Sequence, residues 1–211
     1  MSSAPATPGD ETQQMAASPL LQTKSITKQY PGVRALDAVD FDLRPGEVHV
    51  LFGENGAGKS TLISLLAGAN QPSAGQILFR GKPVVLGSVH EARALGISAV
   101  FQEFSLIPQM SVEENLFLGA EHTRGGFTDR SRIRREALAI LDDLGFALKP
   151  EQRVDHLTRA EQQMVEIAKA FRSDLSVLIL DEPTASLTNH ETDHLFELIG
   201  QLTQRGVGIV Y

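Results

Sequence analysis

Apolar positions along the chain switch between a period of two and a period near 3.6, which separates strands from helices. Ile26 to Tyr30 and Ala38 to Leu43 read as short strands, with Tyr30-Pro31-Gly32 turning between them. Arg44-Pro45-Gly46-Glu47 is a second turn, leading into the short apolar run Val48 to Phe52. Thr61 to Ala67 predicts a helix that stops at Gly68, and Gln71 to Gly75 a loop. Gln76 to Arg80 predicts a strand, Ser88 to Leu95 a short helix ending at Gly96, and Ile97 to Phe101 another strand.

The second half is more helical. Ser111 to Leu118 opens with the capping pattern Ser111-x-x-Glu114. Ser131 to Leu144 places Ile133, Ala137, Leu138, Leu141 and Leu144 on one stripe, and Glu161 to Phe171 does the same with Met164, Ile167, Ala168 and Phe171. Leu175 to Leu180 is nearly all apolar, as expected of a strand buried on both faces. His190 to Leu202 predicts a helix and Gly206 to Tyr211 a further buried strand. Strands alternating with helices argue an α/β fold with a mainly parallel sheet. Gln102 to about Pro150 reads as helices and loops only, a helical insertion between two sheet strands.

One stretch names a ligand class. Gly53 to Thr61 reads G-E-N-G-A-G-K-S-T, which fits the phosphate-loop template G-x-x-x-x-G-K-[ST] at every fixed position. It stands between a predicted strand and a predicted helix, the context the template requires. Gly53, Gly56 and Gly58 let the backbone curl so that N–H groups point inward at an anion, among Glu54, Asn55 and Ala57. The helix start adds its positive dipole end. Lys59 can reach terminal phosphates, and the Ser60 hydroxyl, next to Thr61, can ligate Mg2+.

A second element of the same chemistry is Leu178-Ile179-Leu180-Asp181-Glu182, an apolar strand ending in two carboxylates. A parallel strand delivers its last residues to the ligand edge of the sheet. Asp181 there can hold Mg2+, and Glu182 can act as general base on an attacking water. Acidic residues after a strand are also often solvated loop starts. Gln102, just after a strand, can meet the metal or the water with its amide. Tyr30 can stack on a purine base or be an ordinary half-buried strand aromatic.

Composition narrows the class. The 211 residues suffice for one α/β domain. With 26 acidic residues against 19 Lys and Arg, net charge is −7, which gives no electrostatic case for nucleic-acid binding. The cluster Arg130, Arg132, Arg134, Arg135 reads as a solvated helix face on that background. Without cysteine there are no disulfides, no Cys-ligated zinc and no thiol catalysis. No apolar run approaches the roughly 18 residues needed to cross a bilayer, so a membrane connection would go through a partner. Residues 1–20, rich in Ser, Ala, Thr, Pro and Gln and without Lys or Arg, predict a disordered tail rather than a signal or transit peptide.

These elements in this order resemble the ATP-binding cassette family of transport ATPases. The matching segments beyond the phosphate loop are V-F-Q-E-F-S-L-I-P-Q-M-S-V-E-E-N-L-F-L-G from Val100, L-T-R-A-E-Q-Q-M-V-E-I-A-K-A-F from Leu157, and L-I-L-D-E-P-T-A-S-L-T from Leu178. The resemblance covers about Leu21 to Tyr211, with a helical subdomain at about 103–173. Within the family, the segments look like the first cassette of bacterial monosaccharide importers of the ribose, galactose and xylose type. The resemblance implies a phosphate-loop ATPase fold with an antiparallel N-terminal part. It implies ATP and Mg2+ as ligands, with Tyr30 on adenine and Gln102 on Mg2+ and coupled to the membrane subunit. Leu157, Thr158, Arg159, Ala160 and Glu161 would be the signature segment that closes over ATP held by an opposite cassette, and the turn from Ala185 to Thr188 would lie between cassettes. Glu182 would activate the hydrolytic water. The implied partners are transmembrane permease subunits, a second cassette and, indirectly, a periplasmic or extracellular sugar-binding protein. The implied place is the cytoplasmic face of the membrane.

Two departures qualify the match. The family signature is L-S-x-G-Q, whereas this chain has Leu157-Thr158-Arg159-Ala160-Glu161. Thr158 keeps a hydroxyl, Ala160 puts a methyl where backbone should approach phosphate, and Glu161 brings a like charge. Thr158-x-x-Glu161 is equally a capping box for the next helix. The family also follows the last strand with a histidine that contacts the γ-phosphate. None of His49, His90, His122, His156, His190 or His194 occupies that position, so the expectation is a fragment or truncated reading frame. Two further readings therefore stand beside a sugar-import ATPase: a nucleotide-binding module with little or no turnover, and a cassette ATPase outside transport.

Overall fold

A computed structural model describes residues 18–54, 56–101, 103–172, 174–184 and 187–211 of the chain. The first two strands, β1 (Leu21–Tyr30) and β2 (Val33–Leu43), form an antiparallel hairpin longer at both ends than its apolar runs suggest. The reason is irregular register. Pairing shifts between Thr23 and Ile26 and again towards Gln29, and Ser25 and Ala38 take positive φ values of 48° and 49°. Thr27 Oγ1 accepts the Ala38 N–H at 3.0 Å, which holds the irregular backbone in place. Such bulges break the period of two on which the sequence reading relied. Leu20 also belongs to the fold and not to the tail: it is buried, and its N–H donates to the Leu43 carbonyl at 2.7 Å. Of the rest of the expected tail, residues 1–17 lie outside the described residues.

Strand β3 (Val48–His49) is shorter than its apolar run, and Phe52 at the end of that run is 99% exposed. Helix α1 (Lys59–Leu66) buries Leu62, Ile63, Leu65 and Leu66. Its end is set by Gly68, at φ 73°, where a Cβ would stand 2.6 Å from the Ser88 carbonyl oxygen. Strands β4 (Ala74–Phe79) and β5 (Lys82–Val84) complete an antiparallel sheet of order β2-β1-β4-β5. The sequence reading missed β5, whose Pro83 is tolerated because the strand lies at the sheet edge. Helix α2 (Val89–Ala94), capped by the Ser88 hydroxyl, precedes β6 (Ile97–Val100).

The insertion follows. Helix α3 (Val112–Phe117) starts at the predicted Ser111–Glu114 capping box. Thr123–Arg124 (β7) and Phe127–Thr128 (β8) then pair as a small hairpin across Gly125-Gly126. This corrects the expectation of helices and loops only between Gln102 and Pro150. The two glycines supply φ values of 62° and 86°, which a two-residue hairpin turn requires. Helix α4 (Arg130–Asp143) buries Ile133, Ala137 and Leu141, but Leu138 of the predicted stripe is 42% exposed. After a 3-10 turn at Val154–His156 comes α5 (Arg159–Ala170), buried along most of its length.

Strand β9 (Val177–Leu180), helix α6 (Asn189–Gln204) and strand β10 (Gly208–Val210) complete a parallel sheet of order β3-β10-β9-β6. Alternation explains why β9 is apolar throughout. Leu178 and Leu180 join Val100 and Ile209 in a core shared with α3, α5 and α6. Val177 and Ile179 join Ile97 and Val210 in a second core against α1 and the antiparallel sheet. Each fully buried Val, Leu or Ile contributes about 1.5–3 kcal/mol. The parallel sheet thus has no solvent face at β9, and the loops that carry function leave from its carboxyl edge.

Candidate functional site

The phosphate-loop residues Gly53, Glu54, Gly56, Ala57, Gly58, Lys59, Ser60 and Thr61 run from β3 into α1, with Asn55 outside the described residues. Gly56 and Gly58 hold φ values of 86° and 91°, open to glycine at little cost. Gly58 has a second reason to be glycine. A Cβ there would stand 2.7 Å from the Ala35 carbonyl oxygen, because the loop rests directly on β2. Lys59 is the first residue of α1, so the unpaired N–H groups of the first helical turn belong to the loop. The Lys59 Nζ donates to the Gly53 and Glu54 carbonyls at 2.6 and 3.0 Å. An ammonium has three protons, so one remains for an incoming oxygen. The Ser60 side chain is exposed and Thr61 half-buried.

Asp181 and Glu182 leave β9 at the carboxyl edge of the parallel sheet. The Asp181 N–H donates to the Val100 carbonyl at 3.0 Å, extending the ladder by one residue. Burial pushes the Asp181 carboxyl up from its ordinary value, the Glu182 charge pushes it further, and Lys59 partly reverses both. Lys59, Asp181 and Glu182 therefore share one electrostatic neighbourhood, although 120 residues of sequence separate the loop from the pair. Glu182 is exposed and holds φ 49°, a left-handed conformation that costs a non-glycine residue about 1–2 kcal/mol. Tyr211 closes this edge. Its N–H donates to the His49 carbonyl at 2.9 Å, its carbonyl accepts from Leu51 at 2.7 Å, and its hydroxyl lies 3.2 Å from Thr184 Oγ1.

Gln102 lies outside the described residues, but the segments on either side are fixed. β6 runs parallel to β9 with Val100 opposite Leu180, so Phe101 leaves the sheet at the same edge as Asp181. Downstream, Glu166 Oε1 accepts both the N–H and, at 2.9 Å, the hydroxyl of Ser105. Lys169 Nζ donates to the Ser105 hydroxyl and pairs with Glu166 Oε2 at 3.3 Å. Asn115, fully buried, clamps the same loop through the Ile107 N–H and the Ile107 and Ser111 carbonyls. The stretch after position 102 is thus tied to α3 and α5, not to the sheet. Sequence reasoning missed Glu166, Lys169 and Asn115. The signal was present as polar residues inside apolar helices, but their partner lies about sixty residues away for α5.

Tyr30, half-buried at the end of β1, has Lys28 Nζ 5.1 Å from its ring centroid. Its hairpin touches the phosphate loop through Ala35. The segment Leu157, Thr158, Arg159, Ala160, Glu161 is closed upon itself. The Thr158 hydroxyl accepts the Glu161 N–H at 3.2 Å, and the Glu161 carboxylate accepts the Thr158 N–H at 2.7 Å. Arg159 lies over the Phe104 ring at 4.2 Å, and Leu157 is buried. Ala160 is 4% exposed and lies close to Phe146 and Leu198. Among the described residues no hydrogen bond or ion pair joins this segment to Gly53–Thr61. A third capping box, Thr188 with Glu191, starts α6 and was not predicted.

Comparison with known proteins agrees with this geometry. Residues 36–185 match the ABC transporter family. The chain is 53% identical over 193 residues to the ribose import ATP-binding protein RbsA 1 of Rubrobacter xylanophilus, covering 92% of this chain and 39% of that protein. It is 48% identical over 192 residues to the galactose/methyl galactoside import ATP-binding protein MglA of Escherichia coli, covering 91% and 38%. The chain therefore spans about two fifths of the length of these curated relatives. Among solved structures it resembles the ADP conformation of MJ1267, an ATP-binding cassette of an ABC transporter. That match has a TM-score of 0.79 and 25% identity, and covers 91% of this chain and 80% of that one. The phosphate loop, the paired carboxylates at the parallel-sheet edge and these likenesses place the chain in the ABC transporter family.

Proposed function

We propose that this chain is the ATP-binding part of an importer ATPase that takes up a monosaccharide. The observation that carries the reading is the meeting of the phosphate loop with Asp181 and Glu182 at one sheet edge, in a chain about half identical to ribose and galactose import proteins. The Gly53–Thr61 backbone would cradle the phosphates of ATP, and Lys59 would give its remaining proton to a phosphate oxygen. The donor set suits Mg2+: the exposed Ser60 hydroxyl and the Asp181 carboxylate are hard oxygens. Among the described residues no group of three or more His, Asp or Glu could hold a metal alone, so the ion would rely on ATP oxygens as well. When bound, Mg2+ would neutralise phosphate charge. Glu182, exposed and held in a left-handed conformation at the strand end, would accept a proton from the attacking water.

The partners follow from the same reading: permease subunits, a second cassette and a sugar-binding protein. Among the described residues no helix is long and apolar enough to cross a membrane, which suits peripheral attachment at the cytoplasmic face. A nucleotide-binding module without turnover is the second reading. The specific observation in its favour is the pairing of Thr158 with Glu161, which commits the Glu161 carboxylate and one lone pair of the Thr158 hydroxyl to the helix start. Phosphate release by the purified chain separates the two. Turnover that Glu182→Gln abolishes supports the ATPase, whereas ATP binding without turnover supports the module.

A further inference from the structure

Glu182 stands in a conformation that a residue with a Cβ does not favour. Its φ of 49° is left-handed, and such a backbone persists only where the surroundings over-determine it. Glu182 itself is exposed, so the constraint comes from its neighbours. On the strand side, the Asp181 N–H donates to the Val100 carbonyl at 3.0 Å. On the loop side, Pro183 is buried, and its ring fixes its own φ. Thr184 follows, half-buried, and its carbonyl accepts the Leu187 N–H at 3.2 Å. Its hydroxyl lies 3.2 Å from the Tyr211 hydroxyl, and either of the two can donate. Thr184 is β-branched and stiff at χ1, so fixing its hydroxyl fixes its backbone, two residues from Glu182.

Tyr211 is held from several sides. Its backbone pairs with the His49 carbonyl at 2.9 Å and the Leu51 N–H at 2.7 Å, and its ring packs 6.1 Å from that of Phe196. With backbone paired and ring packed, the hydroxyl is presented from a fixed frame. Leu51 stands two residues before Gly53. One residue thus ties the strand that enters the phosphate loop to the turn that carries Glu182.

We propose that Tyr211 is a positioning residue for Glu182. Its hydroxyl, acting through Thr184, holds Glu182 in the left-handed conformation at the carboxyl edge of the sheet. The effect on turnover rests on the reading of Glu182 as the group that takes the proton of the attacking water; the effect on the Glu182 backbone does not.

Tyr211→Phe removes the hydroxyl alone, and Thr184→Val removes its partner at nearly constant shape. In the full chain, NMR reads the three-bond HN–Hα coupling and the backbone chemical shifts of Glu182, which report φ. They should show a positive φ in the wild type and move towards averaged values in either variant. Where the chain turns over ATP, kcat should fall about tenfold in each variant, with KM for ATP changed by less than about twofold. The double variant should lose no more than either single one, because both break the same contact. Thr184→Ser keeps a hydroxyl and should retain most of kcat. Glu182 signals unchanged in Tyr211→Phe would mark a merely structural role and overturn the proposal, and so would kcat losses that multiply in the double variant. A wild-type chain that binds ATP without turnover would remove the hydrolytic reading, and the Glu182 signals would still decide whether Tyr211 positions it. Circular dichroism confirms that each variant is folded.

Discussion

The resemblance to the cassette family leads one to expect two phosphate-facing segments in this chain, and the structure builds them in opposite ways. The Gly53–Thr61 loop is left unfinished: two left-handed glycines, an open helix start and a lysine with one uncommitted proton. The Leu157–Glu161 segment is closed on itself, with the backbone N–H groups of Thr158 and Glu161 each answered by the other's side chain and its alanine buried. The contrast teaches how to tell a binding backbone from a structural one. A binding site keeps donors unsatisfied and strain in place until a ligand arrives, whereas a structural helix start closes its own hydrogen bonds.

The sharpest way to break the comparison is Gly58→Ala. The new methyl would meet the Ala35 carbonyl at 2.7 Å, with φ at 91°. Nucleotide binding should fall beyond detection, and urea unfolding should show a loss of about 2–3 kcal/mol. Ile179→Ala acts on stability alone: it should cost about 2–5 kcal/mol in the same unfolding measurement, because the residue is fully buried in β9. It should leave the loop's nucleotide affinity nearly unchanged wherever the chain remains folded.

A smaller effect concerns protons. Asp181 titrates above the ordinary carboxylate value because of burial and then Glu182, against the pull of Lys59. Removing the like charge with Glu182→Gln should bring it down, and removing the cation with Lys59→Met should send it higher, read by NMR of the Asp181 carboxyl carbon. The sign for stability follows. A carboxyl with a raised folded pKa holds its proton longer in the native state, so its contribution declines as pH rises from the unfolded value to the folded one. The smallest expected effect is Thr158→Ala. Loss of the cap should cost about 1 kcal/mol in unfolding and leave nucleotide affinity unchanged.

Much of this was legible in the chain. The loop template, the apolar run of β9 with its two terminal carboxylates, and two capping boxes are local patterns, and local patterns survive folding unchanged. Other features were hidden for physical reasons. The β1–β2 hairpin was read too short because bulges at Ser25 and Ala38 interrupt alternation. The β7–β8 hairpin was overlooked because its strands are two residues each and exposed, so only Gly125-Gly126 could announce them. The Ser105–Glu166–Lys169 cluster joins residues that only the packed fold brings together.

The central claim is that nucleotide affinity in this chain resides in the loop and not in the Leu157–Glu161 segment. Equilibrium titration of ATP with Mg2+ into the wild-type chain, Lys59→Ala and Thr158→Ala measures it directly. The expected result is a loss of about 100-fold for Lys59→Ala, equivalent to about 2.7 kcal/mol, and a change of less than about twofold for Thr158→Ala. Equal losses in both variants, or unchanged binding in Lys59→Ala, would contradict it.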